Sequence, residues 1–532
     1  MYWADELATR VSGPQVVNDS KTPSGTIHIG SLRGPVTLDV IARALRDHGL
    51  QTQILYGIDD LDPMDTQSLL TGDAVERSLG VPLVHVPDPA GDGHDSYARH
   101  FASLFVDTFE QLGITPDRYY WMSEVYASGD MDRYVRIALE RAQEIRDIYR
   151  EVSGVERPPG WLPIHMVCPT CGRIGTTLAS DWDGETVAFS CLPDLVEWAR
   201  GCGTTGRLAP FGGTAKLPFN VDWAARWSLL GVTIEPCGKD LATAGGSRDR
   251  ADAIARRVFE REPPLRVDYE FLNLRGQKMS TSRGRGAAAH EMAEVLPAEQ
   301  LRLLFLRPRP NQAIEFDPEG TDAIPRLFDE FDRLAAAVSG REFRGELPPD
   351  YERLFAMSLK AGSDVAAEAA VFRPPFAHLA FLVQVPAVDV IEKVMAEKGA
   401  PLTEREQAVL DERIGAARAW LEGYAPARAR VAVQQDLPSA ARDLDGEQRG
   451  FLSALADQLE DGGTEQAPWT GDGLQSAVFD VARERGVPPA RAFAALYAAF
   501  LGRTNGPRAG WLLASLAPDF VRERLRAAGV PG

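Results

Sequence analysis

No apolar run in this sequence approaches the roughly 20 residues that cross a bilayer as a helix, and the first residues, MYWADELATR, lack the basic-then-apolar order of a signal peptide. A cytoplasmic location with no membrane partner is the expectation. Cysteine is scarce: five among 532 residues, an odd number, which argues against a disulfide framework and leaves reduced thiols or metal ligands. Positive charge is in deficit, 57 Lys and Arg against 76 Asp and Glu for a net charge of −19. That deficit excludes indiscriminate adhesion to nucleic acid and confines any RNA contact to a local basic patch. Internal repeats and low-complexity segments are missing as well.

What is present is a soluble-type composition, 44% hydrophobic and 25% charged, in a chain long enough for two to four domains. Gln15–Asn18 reads as a short buried strand. A Pro-Ser-Gly turn follows, then a helix expected from near Gly30, whose apolar residues Leu32, Val36, Val40, Ile41, Ala44 and Leu45 recur at helical spacing, and then a strand at 53–56. Strand, glycine-containing turn, helix, strand is the opening of a nucleotide-binding α/β domain. Helical periodicity returns over 94–113 and 130–149, on either side of a strand at 118–122. Cysteines then break the rhythm from Cys168 to Cys202. It resumes with a β-like stretch at 229–236, a helix at 247–259 and a strand around 267–272. The α/β domain is thus expected to be split by an insertion, and beyond Phe316 the pattern is helical throughout.

Two distant segments carry the chemistry. In Thr22–Ser31, Gly25 and Gly30 allow close backbone approach, and a helix N-terminus there favours phosphate. His28 is placed to donate to a phosphate oxygen and to stabilise charge on a triphosphate under attack. Far downstream, Lys278-Met279-Ser280-Thr281-Ser282-Arg283 offers cations and hydroxyls on a loop, with Lys278 and Arg283 for pyrophosphate and Ser280 and Ser282 for added hydrogen bonds. Together they read as two halves of one ATP site.

Cys168-Pro-Thr-Cys171, Cys191 and Cys202 supply four thiolates on turns, a donor set for a structural tetrahedral zinc. The second pair is spread apart by residues 192–201, and a knuckle that folds by packing alone is the competing reading. Cys237 is left over and reads as a small buried apolar residue. The cluster Asp59, Asp60, Asp62 and Asp65 lacks the spacing of a calcium loop and suits substrate, RNA-end or helix-cap roles.

The paired segments resemble the HIGH and KMSKS signatures of class I aminoacyl-tRNA synthetases. The stretches TPSGTIHIGSLRG, VDWAARWSLLGVTIEPCGKD, AGGSRD, LRLLFLRPRPNQAIEFDP and GPRAGWLLASL resemble class I lysyl-tRNA synthetases almost end to end. The resemblance implies a Rossmann-like class I synthetase catalytic domain of the α/β class with a zinc-binding insertion, followed by an all-α anticodon-binding region. The boundaries expected are 1–160 and 216–297 for the two catalytic halves, 161–215 for the insertion, 298–345 for a helical connector and 346–532 for the tRNA-binding region. It implies His28, Lys278, Ser280 and Ser282 as catalytic residues, and Gly25, His28, Gly30, Ser31, Asp240, Gly245, Gly246, Lys278 and Arg283 as ATP contacts. Asp19, Thr22, Phe219, Trp227 and Tyr269 become candidates for the lysine pocket, although any one aromatic reads more readily as core packing. Lysine, tRNA(Lys) and ATP with Mg²⁺ follow as substrates and cofactor.

Two positions depart from the family: Leu241, where a histidine commonly follows the aspartate, and Thr281, in place of a lysine. They leave two rivals open, a diverged enzyme charging another amino acid or acceptor, and a non-catalytic RNA-binding descendant. In the helical half, Arg413, Arg418, Arg428, Arg430, Arg503 and Arg508 beside Trp420, Trp511 and Phe500 are of the types that read single-stranded bases, and equally of the types that build solvated faces and cores.

Overall fold

The computed structural model describes residues 1–65, 73–274, 276–278, 288–385, 388–461 and 469–530. Two compact units emerge. The first comprises Met1–Ala293, Ala298–Phe316 and Leu347–Ser363; the second comprises Glu294–Pro297, Asp317–Glu346 and Asp364–Gly532.

The first unit is organised around a parallel sheet built in chain order from β1 (Gln15–Lys21), α1 (Arg33–Asp47), β2 (Thr52–Ile58), α2 (Tyr97–Leu112), β3 (Arg118–Trp121), α3 (Phe219–Leu230), β4 (Ile234–Gly238), α4 (Ser247–Arg257) and β5 (Leu265–Tyr269). The spatial order is β5-β4-β1-β2-β3, with Val17 opposite both Ile54 and Ile234 and Asp19 opposite Tyr56. The chain first builds outward from β1 in one direction and later in the other, so β1 and β4 flank a switch point. In open α/β sheets that is where the carboxyl ends of the strands diverge and leave a ligand crevice.

Helix α1 begins later than its periodicity predicts. Ile29–Leu32 forms a single 3₁₀ turn, and the α-helix proper starts at Arg33. Pro35 supplies the reason: it lacks an N–H and is tolerated within the first helical turn, whereas a helix from Gly30 would put it in the interior at the cost of a hydrogen bond. Twelve of the helix's residues are buried, including Val36, Leu38, Val40, Ile41 and Leu45.

Between β3 and α3 the chain leaves the sheet. His165–Met166 pairs antiparallel with Ala215–Lys216, forming a stem from which a three-stranded antiparallel sheet (Thr177–Trp182, Val187–Cys191, Thr205–Leu208) projects. The second unit holds helices and no strand among its described residues. Its core gathers Leu379, Val394, Leu452, Leu455, Val478, Leu496, Phe500, Leu512, Val521 and Leu525. There Arg413 is buried against Asp332 (2.9 Å) and the Pro374 carbonyl (2.8 Å), while Trp420 and Phe500 lie in the interior. These three build the unit instead of facing solvent.

Candidate active site and metal-ligand clusters

A cavity opens at the switch point. Asp19, Ser20 and Lys21 line it from the end of β1, His28, Gly30 and Ser31 from the following turn, Tyr56 from β2, Gly238 and Asp240 from the end of β4, and Tyr269 to Leu272 from the end of β5. Residues more than 200 positions apart in sequence thus share one crevice. Gly30 makes room for the imidazole, since a Cβ there would sit 3.0 Å from His28 Nδ1. Gly34 has a similar role one turn on: a Cβ would stand 2.4 Å from Asp19 Oδ2 and 3.0 Å from the Tyr269 hydroxyl. Surrounding protein, and secondarily Glu235, pushes the Asp19 carboxyl up to about 8. Burial, reinforced by Asp19, holds the Tyr269 phenol well above its usual value.

The two sequence halves are tied together by backbone. His28 bridges antiparallel to Ala288, and Ala289 N donates to the Ile27 carbonyl (2.9 Å). At the other end, Gln277–Lys278 pairs with Asn273–Leu274. Both ends of the interval 279–287 are therefore anchored beside the cavity. Ser280, Thr281, Ser282 and Arg283 fall outside the described residues, and of Lys278 only the backbone is described.

Other expected contacts sit apart from the cavity lining. Gly245, with φ +71°, and Gly246 close the turn into α4, where Gly245 N donates to Asp249 Oδ2 (2.8 Å) and a Cβ on Gly246 would meet the Thr243 carbonyl at 2.6 Å. Leu241 packs half-buried against the first unit's apolar cluster that includes Trp223, Trp227 and Cys237. Trp227 is fully buried beside Trp223, and both indole N–H groups donate to Glu235. Phe219 packs on Trp223 at 5.2 Å between ring centres. Gly25 has φ +150° in the turn next to Ser24, whose carbonyl accepts from the Tyr97 hydroxyl (3.2 Å).

A residue missed in the sequence is Arg33. Buried at the N-terminus of α1, it donates to the carbonyls of Glu270 (2.6 Å), Phe271 (3.3 Å), Arg309 (3.3 Å), Pro310 (3.1 Å) and Gln312 (2.8 Å). It pins the cavity wall that follows β5. A cation at a helix N-terminus opposes the macrodipole, and that misplaced charge was the available signal.

The aspartates after β2 are engaged with protein groups. Asp59 accepts from Arg226 (2.6 Å) and Ser20 Oγ (3.1 Å). Burial works to raise its pKa, but Arg226 and Lys216 outweigh it and the net shift is downward. Asp60 accepts from Ser123 N (2.8 Å) at the start of the helix Met122–Ala127. Asp62 pairs with Lys216 and accepts from Thr22 Oγ1 (2.8 Å).

Cys168, Cys171, Cys191 and Cys202 converge, their sulfurs all within 4.8 Å of one another. The Cys168–Cys202 and Cys171–Cys191 separations are 3.6 and 3.7 Å, close to the roughly 3.8 Å edge of a tetrahedron with Zn–S bonds of about 2.3 Å. The spacing of the second pair is resolved by an excursion of 192–201 whose ends meet. Gly201 N donates to the Leu192 carbonyl (3.1 Å), and a Cβ on Gly201 would collide with that oxygen. Cys237 is buried elsewhere, and burial pushes its thiol up to about 12.

A second donor group was not read from the sequence. Asp92, His94 and His100 bring ligand atoms within 4.8 Å of one another, and Asp88 joins them. His100 Nδ1 lies 3.3 Å from both Asp88 Oδ1 and Asp92 Oδ2, and His94 Nε2 lies 3.7 Å from Asp92 Oδ1. Gly91 and Gly93, with φ of +66° and +102°, let the loop wrap.

Residues 1–355 match the family described as tRNA synthetases class I (K), and residues 427–529 match an anticodon binding domain. The chain is 36% identical to the lysine–tRNA ligase of Archaeoglobus fulgidus, over 99% of this chain and all of that protein. It is 34% identical to lysine–tRNA ligase 1 of Methanosarcina acetivorans, over 99% and 98% of the two chains. It is 33% identical to the lysine–tRNA ligase of Thermoplasma acidophilum, again over 99% and 98%. With a family match spanning two thirds of its length and relatives above 30% identity along the whole chain, over a parallel switch-point sheet whose cavity holds His28, Gly30 and Ser31, the chain belongs to the class I (K) tRNA synthetases.

Proposed function

We propose that the chain is a lysine–tRNA ligase that activates L-lysine with ATP and transfers it to tRNA(Lys). The observation that carries this is the end-to-end likeness to lysine–tRNA ligases in a chain whose switch-point cavity joins His28, Gly30 and Ser31 to Asp240 and Tyr269. The lysine carboxylate oxygen bonds to the α-phosphorus of ATP while the bridging oxygen to the β-phosphate leaves with pyrophosphate. A terminal ribose hydroxyl of the tRNA then attacks the lysyl carbonyl and releases AMP.

His28 donates to the phosphates, with Gly30 and Ser31 presenting backbone to them, and Asp240 serves the nucleoside from the end of β4. Lys278, Ser280, Ser282 and Arg283 act on the pyrophosphate. Asp19 and Tyr269 face the amino-acid side, where an incoming ammonium would favour the ionised form of the otherwise protonated Asp19 carboxyl and a ring wall suits its apolar stem. Trp227 and Phe219 pack around Trp223, apart from the cavity lining, and serve as core. Mg²⁺ accompanies the nucleotide. The four cysteines fit zinc by donor type and sulfur spacing; four thiolates leave no open position, so that metal would supply folding energy and no chemistry. The helical unit contacts the anticodon.

Charging assays with the unaltered protein, total tRNA and each amino acid in turn test this reading. Lysine alone is expected to be esterified and to support tRNA-dependent pyrophosphate exchange. Preference for another amino acid, or no exchange with any, overturns it.

A further inference from the structure

Two buried cations stand behind the carboxyl ends of β1 and β2. Arg226, on α3, reaches Asp59 (2.6 Å), Asp222 (2.5 Å) and Ser20 Oγ (3.0 Å). Lys216, at the stem of the cysteine-bearing insertion, pairs with Asp62, whose second oxygen accepts from Thr22 Oγ1 at 2.8 Å. Lys216 is 4% exposed. Burial acts to depress the Lys216 ammonium pKa, but Asp62, Asp222 and Asp59 outweigh it, so the net displacement is upward.

Asp62 is held from a second direction. Leu83 N donates to its carbonyl (2.9 Å), and Met64, two residues on, exchanges backbone bonds with Val81 and Gly80 (2.8 and 2.9 Å). The Gly80 carbonyl in turn accepts from Ile174 N (2.7 Å) and Gly175 N (3.1 Å), just past Cys171. Both ends of the insertion thus converge on Asp62: its stem strand through Lys216, and its first cysteine turn through Gly80 and Met64. A carboxylate bound by a buried ammonium on one oxygen presents the other in a fixed direction, and here that oxygen receives the hydroxyl at the start of the Thr22–Gly25 turn. Buried ion pairs are commonly replaceable by neutral groups without loss of stability, so folding alone gives no reason for charge at this point.

We infer that Asp62 is a positioning residue for the turn Thr22–Gly25, that Lys216 sets its orientation, and that the insertion thereby contributes to lysine binding without touching substrate. This rests on the ligase reading for its substrate, and on geometry alone for its effect on the turn.

Two readouts on the full-length protein test it. In hydrogen exchange, Asp62→Asn is expected to raise the exchange rate of a peptide covering 18–30 at least fivefold, with other strands of the sheet unchanged; unaltered exchange there overturns the inference. In lysine-dependent, tRNA-dependent pyrophosphate exchange, Asp62→Asn and Thr22→Val are each expected to raise the KM for lysine about tenfold, with kcat and the KM for ATP within twofold. Combined, they should be no worse than either alone. Effects that multiply overturn it. Asp62→Asn and Lys216→Met each strand a charge and can compromise folding, so D62N/K216M is the informative variant: it is expected to fold and to keep the raised lysine KM. Recovery of that KM in the folded double variant marks a purely structural ion pair and overturns the inference. A raised exchange rate in a protein that never activates lysine refutes the ligase reading and leaves the positioning role standing.

Discussion

The Arg33 guanidinium donates to the Glu270 carbonyl at 2.6 Å, joining the first turn of α1 to the segment that leaves β5. Burial depresses its pKa to about 10, still leaving it a cation at neutral pH. Five carbonyls depend on its planar fork, and Lys, with a compact ammonium, cannot serve them all. Arg33→Lys is therefore expected to lose about 3 kcal/mol of stability, as buried carbonyls go unsatisfied, and to raise the KM for ATP severalfold as the cavity wall at 270–272 relaxes. Urea unfolding and steady-state kinetics check the two parts separately. Wild-type stability in the variant would show that water replaces the lost donors without cost.

Gly34 has ordinary helical geometry, so its role is space. Alanine is favoured over glycine within a helix by about 1 kcal/mol, yet a Cβ here lies 2.4 Å from Asp19 Oδ2, and one of the two must move. The expected outcome of Gly34→Ala is a thermal midpoint within a few degrees of wild type and a lysine KM raised at least tenfold. An active variant of normal KM would exclude Asp19 from the amino-acid side of the cavity.

Much of the architecture was readable because burial imposes periodicity. The strand at Gln15, the helix through Val36, Val40 and Leu45, and the strand through Ile54 and Leu55 all lie where apolar spacing places them. What the spacing could not carry was partnership across the sequence. Trp227 has the same composition signal whether it walls a ligand or packs under Trp223 on Glu235, and only the fold decides. The spread Cys191–Cys202 pair looked degenerate because sequence distance ignores an excursion closed at Gly201. Asp88, Asp92, His94 and His100 went unread because no one pair has a ligand spacing. They meet only when two glycines turn the loop back on the N-terminus of α2.

Asp19 makes stability depend on pH in a defined sense. Its carboxyl titrates near 4 when unfolded and at about 8 in the fold, so folding takes up a proton between those values. The protonated form's contribution is fully present below about pH 4, falls as pH rises through the window, and is lost above about 8. Asp19→Asn is expected to remove this slope, so that the variant's stability relative to wild type increases from pH 5 to pH 8. Denaturant unfolding at three pH values measures it, and a constant difference would mean that Asp19 is already ionised in the folded protein.

The two donor clusters differ in chemistry, which allows them to be counted apart. Cobalt(II) on thiolates gives an intense near-ultraviolet charge-transfer band, and on imidazole and carboxylate it does not. Asp92, His94 and His100 bring their donor atoms within 4.8 Å of one another, a nitrogen-and-oxygen donor set distinct from the four thiolates. Metal-stripped protein is expected to bind two equivalents of Co²⁺, one of them with the thiolate band. Cys171→Ser should weaken the thiolate-bearing equivalent, and His94→Ala the other, each leaving its counterpart intact. A single equivalent, carrying the thiolate band and indifferent to His94→Ala, would reduce the second cluster to hydrogen-bonded loop closure.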